Sequence, residues 1–262
     1  MATMAVKPVL WHIPVSHYNE KARWALDYKG IEHERHAPPP PLHMAVSLWL
    51  TRGASYTFPV LRLDGRAYGD STEIIAALES RYPQPPLYPE DPAERRRALE
   101  IEDLIDEEVA PHMRVLAWHE AIKDPENFGE FAAETLPPAF RKGPGRWIAG
   151  PFAAWFLKTR YGVGDPGAAE LARERVEMGF NRIESELGDG EYLVGDTFTV
   201  ADLTAASIYY PFVRPPEGPR FLIDYPAPLE EYRLSFADRP AYGWIGEMFA
   251  RHRKRAPVPV AA

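Results

Sequence analysis

The sequence predicts two unequal domains, an α/β domain followed by an all-helical domain. In residues 1–83, short β-branched and aromatic runs alternate with helical patterns. A proline-rich linker follows at residues 84–92, and residues 93–262 show helical periodicity without a convincing strand. A chain of 262 residues is also long for one compact core and suits two domains.

The first elements are a strand, a helix and a second strand. Residues 9–13 are mostly β-branched and aromatic, which predicts a strand, and Pro14 ends it. Apolar residues then recur at helical spacing from Ser16 until Gly30, a typical helix stop. Residues 31–36 predict the second strand.

A hairpin and a third helix complete the first domain. The segments before the helix are a proline run at 38–41, an irregular helix at 42–51, a strand at 58–63 and its partner at 66–68. Asp64-Gly65 between the last two is a strong two-residue turn signal. Asp70-Ser71 then begins a helix as a capping pair. The order predicts one mixed sheet covered by helices.

The second domain opens with a long helix. Residues 93–122 predict one helix, in which Pro111 should produce a kink. Residues 128–164 contain several prolines and are predicted to be the least regular part. Residues 168–187 have the apolar spacing of an amphipathic helix.

A further helix has a clear start signal. Thr199 and Asp202 form a capping box, and the helix is predicted to end at Pro211. The basic cluster at residues 251–255 is interpreted as a frayed helix end whose positive charge complements the helix dipole.

Composition excludes several kinds of function. A formal net charge of -8 argues against binding to a phosphate backbone, so no nucleic-acid partner is expected. The absence of cysteine removes disulfides, cysteine-bound zinc and chemistry on a protein thiol. The N-terminus lacks a signal-peptide pattern and no apolar run reaches the length of a membrane span, so a cytoplasmic protein without a membrane partner is expected.

Four segments resemble motifs of the soluble glutathione transferases, in the same order. They are SHYNEKAR at 16–23, FPVL at 58–61, DSTEI at 70–74 and the stretch from YLVGD to TVAD at 192–202. The resemblance implies a thioredoxin-like N-terminal domain that binds glutathione and a C-terminal helical bundle. It also implies that glutathione is a co-substrate, that no metal is required, and that the chain forms a homodimer.

The resemblance places Ser16 where the serine- and cysteine-type classes have their catalytic residue, which implies that Ser16 stabilises the glutathione thiolate. A free thiol has a pKa of about 8.5 and is mostly protonated at neutral pH. Asn19, one turn further on, is a second candidate because its amide can donate to a thiolate. His12 is another possible donor, and the simplest alternative makes Ser16 only a helix cap.

Further residues are predicted to hold the tripeptide. Ser71 and its helix N-terminus suit the γ-glutamyl carboxylate, and Asp70 suits the amine. In the family the proline corresponding to Pro59 is cis, which would leave the backbone of Phe58 free to bind the cysteinyl amide. The alternative is that Asp70-Ser71 is merely a capping pair.

Asp70 is a mild departure from the glutamate that is usual in the family, and two other departures matter more. Thr57 stands where relatives often carry a lysine or arginine for the glycyl carboxylate, and Arg52 or His43 is predicted to replace it. His17 stands where the family has a proline. Both departures put affinity for glutathione itself in question more than they affect the fold.

The second substrate is predicted to bind between the domains. Candidate pocket residues on the helical side are Trp118, His119 and Tyr209, although aromatic residues at helical spacing more often belong to a core. The irregular segment 128–164 is a candidate lid or partner surface.

These residues predict a glutathione transferase in which the thiolate attacks a small hydrophobic electrophile, as in detoxification. One alternative is a non-catalytic ligand-binding or protein-interaction module of the same fold. Another is a dehalogenating, isomerising or thiol–disulfide activity with glutathione as cofactor. Disulfide reduction is disfavoured because position 16 is serine and the chain has no cysteine.

Overall fold

The first domain is built on a four-stranded sheet. The computed structural model describes residues 7–39, 42–134, 144–220 and 224–253. The strands are β1 Val9–Trp11, β2 Glu34–His36, β3 Val60–Leu63 and β4 Arg66–Tyr68, in the order β2-β1-β3-β4. β1 runs parallel to β2, while β3 is antiparallel to both of its neighbours. This is the predicted mixed sheet.

Three helices belong to this sheet. They are α1 His17–Tyr28, which connects the parallel pair β1 and β2, α2 Leu42–Leu50 and α3 Ser71–Arg81. The first three strands are shorter than predicted. Pairing of β1 with β3 ends at Trp11 and Val60. The next residue of this segment whose backbone N–H would point towards β3 is Ile13, and it donates to a side chain instead.

The second domain is helical throughout its described residues. Its helices are α4 Pro92–Leu104, α5 Ala110–Ala121, α6 Pro125–Glu134, α7 Pro144–Tyr161, α8 Pro166–Leu187, α9 Val200–Val213, α10 Ala227–Leu234 and α11 Pro240–His252. A π-helical turn, Ile105–Val109, joins α4 to α5. The predicted long helix is therefore continuous, and its irregularity lies immediately before Pro111, where a wider turn accommodates a residue that cannot donate a hydrogen bond.

The prediction of irregular structure across residues 128–164 is wrong for the described part of that segment. It consists of most of α6 and all of α7, which pack against each other. Pro144 begins α7, a position where proline is tolerated because its missing N–H would be unpaired anyway. Pro151 lies inside α7, and Pro137 and Pro138 fall outside the described residues.

Helix α9 forms the centre of the second domain. It is buried on all sides from Val200 to Phe212, as expected for a helix that is apolar all round. The predicted capping box of Thr199 and Asp202 is confirmed. The predicted stop at Pro211 is wrong by two residues. Because Pro211 lies in the last turn, including it costs the helix little stability. Arg214 then ends the helix in a left-handed conformation.

The two domains share one continuous apolar core, and α1 packs against α9. Polar contacts reinforce this interface. Lys21 of α1 is fully buried and pairs with Glu102 of α4 at 2.7 Å and with Asp106 of the π-helical turn. Its amine also donates to the Thr72 hydroxyl of α3 at 3.1 Å.

The end of α11 is also attached to α1. Arg253 is buried, and its guanidinium donates to Glu20 at 2.5 Å and to Asp27 at 2.6 Å. The interpretation of this basic cluster as a frayed helix end is therefore wrong at Arg253, because two buried carboxylates of α1 require a cation. None of the described helices combines the length and apolarity that crossing a bilayer would need.

Candidate active site

Ser16 lies at the N-terminus of α1, and its hydroxyl hydrogen is donated to none of the residues that the structure describes. The residue is half-buried and extended, and its side chain makes no capping bond to the helix. Its Oγ instead accepts a hydrogen bond from the Asn19 amide at 2.8 Å. The O–H can therefore donate to a ligand, beside the N–H groups of the first helical turn, whose positive dipole end favours an anion.

The buried side chain of Asn19 holds the Ser16 hydroxyl in place. It is 0% exposed, its Oδ1 accepts from the Ile13 N–H at 3.0 Å, and its Nδ2 donates to the Phe58 carbonyl at 3.1 Å. The register of β1 and β3 puts Ile13 opposite Phe58, so the amide bridges the strands at the position where their pairing stops. Both amide hydrogens are used, one on Phe58 and one on Ser16, which makes Asn19 a positioning residue.

Arg23 and Tyr210 hold the loop that precedes Ser16. Arg23 donates to the carbonyls of Ile13 at 3.2 Å and Pro14 at 2.9 Å, while Tyr210 donates to the Val15 carbonyl at 2.6 Å. Arg23 also contacts His12 Nδ1 at 2.8 Å. Burial and the neighbouring arginine charge lower the pKa of His12 to about 3, so this ring is neutral and committed to the loop.

The predicted tripeptide side contains Phe58, Pro59 and His43. The Phe58–Pro59 peptide bond is cis, and both residues are buried. The His43 ring of α2 lies against the Phe58 ring, with centroids 5.9 Å apart, and burial lowers the pKa of His43. Arg52 is exposed in the turn after α2, in a left-handed conformation, and the structure does not bring it into contact with this group.

Asp70 and Ser71 form the third part of the site, at the N-terminus of α3. Asp70 Oδ1 caps the helix by accepting from the N–H groups of Thr72 at 2.8 Å and Glu73 at 3.2 Å. The residue is exposed and its Oδ2 accepts no hydrogen bond from the described residues, so capping and ligand binding are compatible. Ser71 is only 2% exposed, and its hydroxyl bonds to none of the described residues.

The predicted pocket residues are not brought together. Tyr209 is a core residue: it is fully buried, donates to the Val176 carbonyl at 2.6 Å and packs on Phe180. Its assignment to a substrate pocket is wrong, because α9 is enclosed on every side. Trp118 packs edge-on against Phe128 of α6. His119 is buried on α5, next to Glu120.

Helix α5 also carries the half-buried Arg114, which no sequence motif singled out. Its guanidinium carbon lies 4.4 Å from the centre of the Tyr161 ring at the end of α7. Burial first and the Arg114 charge second lower the pKa of His17, the neighbour of Ser16, whose ring packs on the Tyr18 ring with centroids 4.6 Å apart. His17 was visible in the sequence only as a departure from the family pattern.

The end of α7 also reaches the first domain. Arg160 contacts Tyr56, in the loop after α2, through a hydrogen bond and by stacking, with 5.2 Å between its guanidinium carbon and the ring centre. The end of α7 therefore contacts the first domain through the loop after α2. Among the described residues, no group of three or more acidic or histidine side chains could hold a metal ion.

Comparisons with known proteins agree with this architecture. Residues 10–86 match the family model for the glutathione S-transferase N-terminal domain, and residues 166–232 match that for the C-terminal domain. The probable maleylacetoacetate isomerase 1 of Drosophila melanogaster is 33% identical over 132 residues, 46% of this chain and 51% of that relative. In that comparison the chain spans about half the length of the relative.

Two further proteins match over more of the chain. Maleylacetoacetate isomerase of Dictyostelium discoideum is 25% identical over 215 residues, 78% of each protein. The solved maleylacetoacetate isomerase from Anaeromyxobacter dehalogenans, which holds dicarboxyethyl glutathione and citrate in its active site, has a TM-score of 0.57 at 19% identity, covering 96% of each chain. The last likeness shows the fold. Since the two domain models match in order and together cover more than half of the sequence, the chain belongs to the glutathione S-transferase family.

Proposed function

We propose that this protein is a glutathione-dependent enzyme in which the Ser16 hydroxyl stabilises the thiolate. The observation that carries the proposal is the uncommitted Ser16 O–H at the N-terminus of α1, held in place by Asn19. A hydrogen bond to a charged acceptor is worth about 1.5–3 kcal/mol, which corresponds to about one to two units of thiol pKa. A shift of about two units takes a thiol from mostly protonated to largely ionised at neutral pH.

The tripeptide lies, in this proposal, along the first domain. The Ser71 hydroxyl and the remaining N–H groups of α3 bind the γ-glutamyl carboxylate, and Asp70 Oδ2 pairs with the amine. The backbone N–H of Phe58 binds the cysteinyl amide, with His43 beside it. The sulfur then lies at Ser16 and faces α5 across the cleft.

In the transferase reaction the thiolate attacks an electrophilic carbon, a C–S bond forms, and the leaving group departs with its electron pair. The names of the matched relatives favour a second candidate, isomerisation. There the thiolate adds to a carbon–carbon double bond, rotation follows, and the same C–S bond breaks. Glutathione is consumed in the first reaction and returned in the second, so free-thiol measurement during turnover distinguishes them.

The test compares Ser16→Ala with the native protein. We expect the pKa of bound glutathione, followed by thiolate absorbance, to rise by about one to two units and turnover to fall at least about tenfold. Glutathione affinity should change little, whereas Ser71→Ala should weaken it. Ser235→Ala, which removes an exposed hydroxyl at the end of α10, is the control. An unchanged thiol pKa and turnover in Ser16→Ala would refute the role of Ser16.

The remaining expectations stay predictions. Saturable glutathione binding without turnover on any electrophile would favour the non-catalytic module. The homodimer is tested by light scattering, and the cytoplasmic location by fractionation.

A further inference from the structure

Helix α7 exposes an apolar stripe along one side. Ile148, Phe152 and Trp155 are spaced four and three residues apart, so they lie on one face of the helix and extend over about 10 Å. They are 65%, 53% and 58% exposed, and the rings of Phe152 and Trp155 are in contact, with centroids 5.8 Å apart. Exposed apolar side chains that are gathered in this way, rather than scattered singly, mark a surface that interacts with another body.

The helix that packs against α7 lies on its opposite side. The backbones of α6 and α7 meet there at a pair of glycines, and a Cβ on Gly150 would lie 2.9 Å from the Cα of Gly129. Gly150 is two residues from Ile148, which places it about 200° around the helix. Among the described elements, none other than α6 packs extensively against α7. The stripe therefore faces away from the helix that holds α7 in place.

The stripe lies in a basic part of an acidic chain. Residues 135–164 contain five lysines and arginines and no aspartate or glutamate, whereas the whole chain has a net charge of -8. On α7, Lys158 and Arg160 are exposed, and helical geometry places them on either side of the stripe. Arg160 stacks on Tyr56 and Tyr161, and neither cation pairs with a carboxylate of the described residues. Both charges are therefore available to an anionic partner.

A bilayer surface fits this combination of features. A helix with aromatic and aliphatic side chains on its outward face, and with flanking cations, is typical of helices that lie in the interfacial plane of a membrane. Tryptophan is stable at the level of the headgroups, and lysine and arginine are attracted to anionic lipids. The rest of the chain is acidic and is repelled by an anionic surface, so the α7 side is the one that approaches it.

A second copy of the chain fits the same face less well. A two-fold symmetric contact brings the same patch of both copies together, with Lys158 and Arg160 of one copy close to those of the other. Like charges at short range oppose association. An anionic lipid surface supplies the opposite charge instead.

We propose that the α7 face formed by Ile148, Phe152 and Trp155 binds the surface of membranes that contain anionic lipids, with Lys158 and Arg160 next to the lipid phosphates. The expectation of no membrane partner depended on the absence of a spanning segment. None of the described helices can span a bilayer, but a helix that lies on the surface does not need to. This inference is independent of the role of Ser16, because lipid binding is measured without turnover.

Sedimentation with lipid vesicles tests the proposal. Vesicles of phosphatidylcholine are compared with vesicles that also contain about one-third phosphatidylglycerol, and we expect binding to the anionic vesicles only. Raising the salt from about 0.1 M to about 1 M should weaken this binding, because the Debye length falls from about 10 Å to about 3 Å. The double variant Phe152→Ser, Trp155→Ser should reduce the affinity at least about tenfold, because it removes two rings that the lipid would bury.

Two further variants separate the apolar and the charged contributions. Leu234→Ser is the matched control, because Leu234 is 50% exposed on α10 beside Glu230 and Glu231, and it should bind vesicles like the native protein. Lys158→Glu should weaken binding to the anionic vesicles. All of the substituted residues are exposed, so we expect native unfolding curves for every variant, and circular dichroism checks this.

Tryptophan quenching reports which face enters the bilayer. Bromine atoms on the lipid acyl chains quench tryptophans in contact with them. Trp155→Phe keeps an apolar ring, so we expect binding to persist while the quenching decreases. Absence of native binding to the anionic vesicles, or equal binding by the double variant, would overturn the proposal. Self-association that the double variant loses, without any lipid binding, would identify the face as an interface between copies of the chain.

Discussion

His17 is neutral in the folded protein at pH values where the unfolded chain would be protonated. Its pKa is about 3 when folded, against about 6.5 when unfolded. Between these values the unfolded state binds more protons, so the free energy of unfolding falls as the pH falls through this window. The physical causes are burial first and the Arg114 charge second.

We predict that His17→Gln flattens this pH dependence. Each such histidine contributes up to about 1.4 kcal/mol per pH unit below about 6.5. The native protein has a second contributor in His12, whose pKa is also about 3, so the slope should decrease rather than vanish. Urea unfolding of both proteins between neutral pH and about pH 4 measures the difference. Parallel curves would show that His17 is protonated in the folded state.

At the scale of elements, α8 and α9 are in close contact at Gly179. A Cβ on this residue would overlap the Tyr209 hydroxyl of α9 and would lie 2.8 Å from Val109 of the π-helical turn. The Tyr209 hydroxyl cannot move away easily, because it donates to the carbonyl of Val176, which lies on α8 like Gly179. The glycine thus sets the distance between three helical segments.

We predict that Gly179→Ala destabilises the protein by about 1–3 kcal/mol, because overpacking outweighs the better helix propensity of alanine. Gly243→Ala is the matched control: Gly243 lies on an exposed face of α11, and an added Cβ would meet nothing within 4 Å. That change should be stabilising by up to about 1 kcal/mol. Denaturant unfolding of both variants gives the comparison, and equal stabilities would contradict the packing argument.

At the scale of the whole molecule, a buried charge cluster joins the two domains. Lys21 pairs with Glu102 and Asp106, and one oxygen of each carboxylate has no hydrogen-bond partner among the described residues. Burial raises the pKa of Glu102, while the two carboxylates raise the pKa of Lys21. The cluster is stable only with its cation in place.

We predict that Lys21→Met costs about 3–5 kcal/mol, because it leaves two buried carboxylates unpaired. The double variant Lys21→Met, Glu102→Gln should recover part of this loss, since only one carboxylate then remains. Unfolding followed by both far-ultraviolet circular dichroism and tryptophan fluorescence should stay a single transition. A loss below about 1 kcal/mol in Lys21→Met would show that the cluster adds little to the domain interface.

Local patterns alone were sufficient for much of the architecture. The strand and helix order of the first domain, the turn at Asp64-Gly65, and the capping box of Thr199 and Asp202 depend on neighbouring residues, whose preferences act over a few positions. Ser16 and Ser71 were predicted to be site residues because they stand at helix starts within motifs. These are short-range properties that a sequence carries directly.

Other features depended on contacts between distant segments. Proline marks a helix start, an interior position or a break depending on what surrounds it, so helices α6 and α7 and the end of α9 were predicted incorrectly. Tyr209 looked like a pocket residue until its helix proved to be enclosed. Asn19, Lys21 and Arg253 have partners between 39 and 233 residues away.

The sequence by itself determined the fold class, the helix N-termini and the residues placed there, because periodicity and capping are local. The tertiary structure decided which buried polar groups have no hydrogen-bond partner among the described residues. Arg114 has no distinguishing motif, and only the structure shows that its buried Nε has no hydrogen-bond partner among those residues. Whether a charge is satisfied depends on the packing of several segments at once, and no local pattern encodes it.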